Sequence, residues 1–248
     1  MIIDFTGQRA LVTGGTRGIG AAIVRELAGS GASVVATGRD RSNIEFLQAQ
    51  ADQTSLPVRY VSIDFSDARA TEEFAAQMAG ESFSVLVNNA GINKIALAGE
   101  VDMEDWDRIQ RVNVRAPMTL CRALAPRMAE RRYGRIVNIT SIWGHVSRSR
   151  RISYSTSKSA LVGLTRTLAL DYAASNVLAN GVAPGVIDTE LTRTVLSEQE
   201  HRDLISAIPV GRLGTEDEIA RVVAFLASRS NSFITGQNII ADGGFTCG

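Results

Sequence analysis

Between Arg9 and Ala28 the apolar residues pass from a continuous run to a four-residue repeat, with glycines clustered at the join. Ala10-Leu11-Val12 is short and wholly apolar, as a strand buried on both faces of a parallel sheet requires. Thr13-Gly14-Gly15-Thr16-Arg17-Gly18-Ile19-Gly20 follows, and then Ile19, Ile23 and Leu27 mark one face of a helix. Glycine at 14, 18 and 20 lets the chain turn sharply and lets a ligand approach the backbone. The unpaired N–H groups and positive end of the new helix favour an anion. A glycine-rich turn alone says little. With a strand before it and a helix after it, it points to the phosphates of a bound nucleotide.

The alternation continues down the chain. Ser33-Val34-Val35-Ala36-Thr37, Tyr60-Val61-Ser62-Ile63, Val85-Leu86-Val87, Ile136-Val137-Asn138-Ile139, Val177-Leu178-Ala179 and Asn238-Ile239-Ile240 read as further strands, with amphipathic stretches between them. This order implies an α/β fold, a doubly wound parallel sheet with helices on both faces. No repeat, low-complexity tract or linker interrupts it, so residues 1–248 are expected to form a single domain. Ligands of such sheets gather outside the carboxyl ends of the strands. Functional residues are therefore sought just after each strand.

After the second strand comes Thr37-Gly38-Arg39-Asp40-Arg41. An acid here would bond the ribose of NAD. Gly38 stands in its place, Arg39 follows, and Arg17 of the first loop can face the same corner. Two guanidiniums suit the 2′-phosphate of NADP; the alternative is that Arg39 and Arg41 are solvated surface charges. After the third strand comes Asp64-Phe65, where Asp64 can accept from an adenine amino group or cap the next helix. In Asn88-Asn89-Ala90-Gly91 the small pair lets backbone lie against a planar ligand, and the amides can brace neighbouring strand ends.

Thr13-Gly14-x-x-x-Gly18-x-Gly20, Asn88-Asn89-Ala90-Gly91, Ser141, Tyr154-Ser155-Thr156-Ser157-Lys158, Pro184-Gly185 and Asp242-Gly243-Gly244 occur in that order over nearly the whole chain. The set resembles the short-chain dehydrogenase/reductase family, and within it the chain is similar to the 3-oxoacyl-carrier-protein reductases. The resemblance implies a Rossmann-type, NADPH-using oxidoreductase with a Ser-Tyr-Lys centre and an assisting asparagine, assembled as a homotetramer. It assigns Lys158 to the nicotinamide ribose, Ile187 to the carboxamide, Thr189 to the carboxamide or a phosphate, and Asn113 to a water-linked proton relay toward Lys158. The expected cofactor site is then Gly14, Thr16, Arg17, Gly18, Ile19, Gly20, Arg39, Asp64, Phe65, Asn89, Ala90, Gly91, Tyr154, Lys158, Pro184, Gly185, Ile187 and Thr189.

The chemistry is also legible residue by residue. Tyr154 and Lys158 are spaced to lie one helical turn apart on one face. A free tyrosine titrates near ~10, and a nearby ammonium is expected to lower that value toward use as an acid and base. Ser141 follows a strand and can hold a carbonyl oxygen for Tyr154, or serve merely as a turn residue. Asn113 lies in a helical stretch from Trp106 to Met128, with Pro117 four residues on. Proline has no N–H, which leaves the Asn113 carbonyl free to hold a water, unless the proline only kinks the helix. Together these residues are expected to reduce a ketone to a secondary alcohol, or the reverse. A non-catalytic nucleotide-binding regulator would show a broken set; Asn113, Ser141, Tyr154 and Lys158 are all present.

Specificity is less legible. Residues 188–210 are expected to form a substrate lid, with Ser197 and Glu200 spaced as a capping box; Thr215 and Glu218 are spaced as a second box, opening a helix that ends near Ala227. Arg148, Arg150 and Arg151 near the reacting centre suit an anionic substrate or a phosphorylated carrier, or else are solvated or in subunit contacts. Trp143 can line an apolar or sugar-stacking wall, or simply pack. Arg131 and Arg132 resemble the basic edge that reductases of carrier-bound substrates offer an acidic partner. Ser175-Asn176 departs from that pattern and keeps sugars, polyols and secondary-metabolite alcohols open.

Composition excludes other classes. Basic and acidic residues number 26 each, which argues against a nucleic-acid or membrane-surface protein. Cys121, Cys247, His145 and His201 form neither a disulfide framework nor a ligand pattern, so no metal is expected and a reducing cytoplasm is the simplest location. No run suits a bilayer span, and Met1–Phe5 lacks the features of a leader.

Overall fold

The computed structural model describes residues 3–189 and 198–247. Strands β1 (Arg9–Val12), β2 (Ser33–Gly38), β3 (Val58–Ser62), β4 (Val85–Asn88), β5 (Gly134–Ile139), β6 (Val177–Pro184) and β7 (Asn238–Ala241) pair in the order β3-β2-β1-β4-β5-β6-β7, parallel throughout. Each is a strand that the sequence indicates, with shifted ends: β3 starts at Val58 and stops before Ile63, and β6 runs on to Pro184. The strand order reverses between β1 and β4, which opens a crevice at their carboxyl ends.

Eight α-helices are described: α1 (Gly18–Gly29), α2 (Arg41–Gln53), α3 (Ala68–Ala79), α4 (Met103–Gln110), α5 (Ala116–Glu130), α6 (Ile152–Tyr172), α7 (Glu198–Ser206) and α8 (Glu216–Ala227). Alternate strand residues divide the core. Val12, Val34, Val85 and Val87 meet Ile23 and Leu27 of α1 and Val223 of α8 on one face. Leu11, Val35, Leu86 and Ile136 meet Met78 of α3, Leu120 and Leu124 of α5 and Leu168 of α6 on the other. All these side chains but one are at most 1% exposed, so both faces of the sheet are covered.

Two local expectations need correcting. The stretch from Trp106 to Met128 is not one α-helix: α4 and α5 are joined by a π turn over Arg111–Arg115, immediately before Pro117. A proline without an N–H and with a ring that crowds the preceding turn is a cause of such a break. Asp64 does not cap α3; Asp67 does, accepting from the N–H groups of Arg69 (2.9 Å) and Ala70 (3.0 Å).

A polar ladder crosses the apolar layer. Asn88 Nδ2 donates to Asn138 Oδ1 at 2.8 Å, Asn138 Nδ2 to Thr165 Oγ1 at 2.8 Å, and Thr165 Oγ1 to the Leu161 carbonyl at 2.7 Å. It ties β4 to β5 and β5 to α6, and so fixes the strand ends relative to the helix that carries Tyr154 and Lys158.

Candidate active site

The glycine turn is held by its neighbours. Gly14 (φ +65°) and Gly18 (φ +59°) adopt the left-handed conformation that glycine takes freely. A Cβ on Gly20 would stand 2.0 Å from the Gly14 carbonyl oxygen and 2.5 Å from Asn89 Nδ2. Asn89 Nδ2 donates to the carbonyls of Thr13 (3.0 Å) and Gly14 (2.9 Å), and Thr13 Oγ1 accepts from the N–H groups of Asn89 and Ala90, both at 3.0 Å. Thr37 Oγ1 accepts from Gly14 N at 3.2 Å. Thr13 and Thr37 are structural members of the site to which sequence reasoning gives no role of their own; their signal is position, at the carboxyl ends of β1 and β2. Side chains cap α2, α3, α4 and α8, whereas α1 begins at Arg17 with none. Its first-turn N–H groups are thus left for an anion, and with the glycine cradle they fit a dinucleotide.

Thr16 and Gly38 join the two loops at the adenosine corner. A Cβ on Gly38 would stand 2.5 Å from Thr16 Cγ2 and 2.9 Å from Thr16 Oγ1, so an acid at this position requires the Thr16 side chain to move. Arg17 and Arg39 flank that contact and are both exposed. Asp64 Oδ1 accepts from Ser66 N (2.8 Å) and Ser66 Oγ (2.7 Å), and these bonds together with the Arg39 charge hold the carboxyl below its ordinary value against the effect of burial. The Phe65 ring is buried edge-on against Phe74 at 6.1 Å, which makes its side chain a core element.

Two of the four proposed catalytic residues, Asn113 and Lys158, meet beside Gly91; Tyr154 adjoins Lys158, and Ser141 adjoins Tyr154 in turn. A Cβ on Gly91 would lie 3.5 Å from both Asn113 Oδ1 and Lys158 Nζ. Lys158 Nζ donates to the Ile139 carbonyl at 2.7 Å and sits 5.5 Å from the centre of the Tyr154 ring. Burial brings the Lys158 ammonium down to about 8. Burial raises the Tyr154 phenol above its ordinary value; the Ser141 hydroxyl, hydrogen-bonded to it, and the charge of Arg151 oppose that rise. The expected lowering by Lys158 is therefore not what the fold produces: the amine is turned to a carbonyl and desolvation governs the phenol. Ser141 also receives the Trp143 N–H at 3.2 Å, so the turn role and the contact with Tyr154 coexist.

Asn113 is fully buried on the π turn. Its side chain pins Ile92, accepting from Ile92 N (2.8 Å) and donating to Ile92 O (2.9 Å), and donates to Ser157 Oγ at 3.0 Å. Ser157 Oγ in turn donates to the Tyr154 carbonyl at 2.7 Å. The sequence does not single out Ser157, although a serine three residues after the tyrosine falls on nearly the same helix face.

On the far side, Pro184-Gly185 lies against the Asp242-Gly243-Gly244 turn: Gly185 N donates to the Ala241 carbonyl at 2.9 Å, and Asp242 accepts from Gly244 N, Thr246 N and Thr246 Oγ1. Ile187 is buried and pairs with Gly214. Thr189 is the last residue before a stretch, 190–197, that lies outside the described residues; Ser197 of the expected capping box and that part of the expected lid fall there, while Glu198–Ser206 of the same expected lid forms α7. The Thr215–Glu218 capping box is present and opens α8. Trp143 stands edge-on to Phe245 at 5.9 Å. Arg131 donates to the Phe83 carbonyl (2.6 Å) and Arg132 to the Ala174 carbonyl (3.3 Å), at the amino end of β5 and away from the crevice.

Similarity to known proteins bears on this site directly. The family model described as enoyl-(acyl carrier protein) reductase matches residues 14–246. A 3-oxoacyl-[acyl-carrier-protein] reductase of Aquifex aeolicus is 37% identical over 98% of this chain and 99% of its own. A solved structure described as a short chain dehydrogenase/reductase family protein is 37% identical, with a TM-score of 0.89 over 98% of this chain and 99% of its own. The chain belongs to the short-chain dehydrogenase/reductase family. A gluconate 5-dehydrogenase of Burkholderia cenocepacia, solved with NADP and tartrate, is 31% identical with a TM-score of 0.92 over 99% of this chain and 97% of its own. As a member of the short-chain dehydrogenase/reductase family the protein is an oxidoreductase with a Rossmann-type sheet. Among the described residues no helix is long and apolar enough to cross a membrane.

Proposed function

We propose that the protein is an NADP(H)-dependent oxidoreductase that interconverts a ketone and a secondary alcohol. The observation that carries this reading is the convergence of Lys158 and Asn113 on the small Gly91 backbone, with the Tyr154 ring 5.5 Å from the Lys158 amine and Ser141 bonded to the phenol. In it, Gly14, Thr16, Gly18, Ile19 and Gly20 hold the cofactor's pyrophosphate, Arg17 and Arg39 its 2′-phosphate, and Asp64 and the Phe65 backbone its adenine. Asn89, Ala90 and Gly91 line its middle, and Pro184, Gly185, Ile187 and Thr189 seat its nicotinamide end. The bound nicotinamide supplies or takes the hydride.

The protein's own part is position and a proton. Ser141 holds the carbonyl oxygen, and Tyr154 delivers a proton to that oxygen as charge develops on it. A phenol kept protonated by burial is a competent donor in this direction. Lys158, with a value near neutral pH, resupplies the proton from the Asn113 side. The NADP preference rests on Gly38, which stands where an acid would grip an unphosphorylated ribose, and on the exposed Arg17 and Arg39 beside it.

Relatives named as 3-oxoacyl-carrier-protein reductase and gluconate 5-dehydrogenase leave two substrate readings, a carrier-bound thioester and a sugar or polyol. Arg131 and Arg132 each give one hydrogen bond to a backbone carbonyl but stay exposed, so they are compatible with either reading. The lid at 188–210, the tetramer and a cytoplasmic setting remain part of the same proposal. Tyr154→Phe tests it. Following nicotinamide absorbance over a ketone panel, turnover should fall by about 10²–10⁴-fold, with NADPH affinity by fluorescence titration nearly unchanged. Full turnover by the variant overturns the reading.

A further inference from the structure

The loop that leads into α6 carries Arg148, Arg150 and Arg151 beside the reacting centre. Arg9, Arg25, Arg59, Arg69, Arg122, Arg127 and Arg212 each reach a carboxylate, whereas none of these three forms an ion pair among the described residues. Helix α6 starts at Arg151 with no side-chain cap and no acid in its first turn. The cations thus stand at the end where the helix dipole is already positive. Arg150 is held at φ +68°, a conformation costly for a residue with a Cβ. Its carbonyl accepts from Ala96 N at 3.2 Å, and Arg151 pairs with Ala96, so the loop is fixed in place. Between it and residues 96–98 lies a cavity of about 380 Å³, lined by Arg148, Arg150, Arg151 and Ser155 among others. Burial and the nearby Arg148 charge push the half-buried Arg151 guanidinium down, while the Tyr154 phenol feels its charge. Like charges held together in this way become favourable once an anion sits between them.

On a helix, residues three apart have Cβ atoms about 5–6 Å apart, so the Arg151 side chain starts one turn from Tyr154. We propose that Arg151, assisted by Arg148, grips a carboxylate carried by the substrate itself, so that the enzyme selects oxo acids over neutral ketones. The inference rests on the ketoreductase reading and makes Arg151 a specificity-determining residue. A carrier-bound thioester fits less well, because the phosphate of its tether lies many bonds from the reacting carbonyl.

The test uses the full chain with NADPH and a series of oxo acids, 3-oxobutanoate to 6-oxoheptanoate, each against its methyl ester. The wild type should favour at least one acid over its ester tenfold or more in kcat/KM. Arg151→Gln should cut that ratio at least tenfold through KM, Arg148→Gln should cut it less, and Arg151→Lys should retain part of it. An ester reduced as well as its acid, or a ratio that survives both glutamine variants, overturns the inference. So does a preference for a carrier-bound 3-oxoacyl thioester over every free acid. Those outcomes leave the ketoreductase reading intact; failure of the wild type to oxidise NADPH with any acid, ester, thioester or keto-sugar overturns both.

Discussion

Lys158 is an ammonium in a nearly water-free place, 3% exposed, and it donates to the Ile139 carbonyl. Its value of about 8 in the fold, against 10.5 outside it, has a signed consequence for stability. Below pH 8 both folded and unfolded chains hold the proton, and folding bears a cost on the order of 3 kcal/mol for burying it. Between about pH 8 and 10.5 only the unfolded chain holds the proton, so this residue's contribution to stability should rise with pH across that window. Lys158→Met should be more stable at pH 7, nearly free of that rise in urea titrations, and inactive. At the adenosine corner, Arg39→Ala should weaken NADPH about tenfold or more relative to NADH in fluorescence titrations, the scale of a single hydrogen bond to a charged group. Equal weakening of both cofactors would show Arg39 to be a plain surface charge.

The helix ends show what the sequence carries and what it withholds. The Thr215–Glu218 spacing is readable as a capping box because both halves of the device lie within four residues. Thr215→Ala should cost about 1 kcal/mol in chemical denaturation. Glu218 is held down to about 2, first by Arg212 and then by the Thr215 N–H. This contribution is present above the unfolded carboxylate value and fades as pH falls from about 4.5 toward 2. The seven strands, the glycine turn and the Tyr154–Lys158 pair are legible for the same reason, since each is a short-range pattern. The π turn at Arg111–Arg115 is not, because Pro117 announces a break without saying how the chain absorbs it. Nor is the link from Asn113 through Ser157 to the Tyr154 carbonyl, whose members come from different helices and meet only in the fold. The direction of the phenol's shift escapes for a related reason: spacing reports that a lysine is near, but burial outweighs that proximity.

Across the whole molecule, the last few residues of the described chain reach back from the end of β7 to the loop that follows β5. Asp242 accepts three hydrogen bonds, and Phe245 meets Trp143 of the loop after Ser141. Phe245→Ala, made with Trp106→Phe so that one indole reports, should shift Trp143 emission to the red and raise KM more than it lowers kcat. An unshifted spectrum would show that Trp143 is sheltered by other groups. The adenosine corner has a reach of its own, because Thr16 and Gly38 come from successive βα units yet fill each other's space. A carboxylate introduced at position 38 alone collides with a methyl group from the first loop. The side chain at 16 must give way, most simply by becoming smaller, for the one at 38 to grow. A lineage drifting toward the unphosphorylated dinucleotide would therefore meet these two changes as a pair, and a library that randomises position 38 by itself would search a half-closed door.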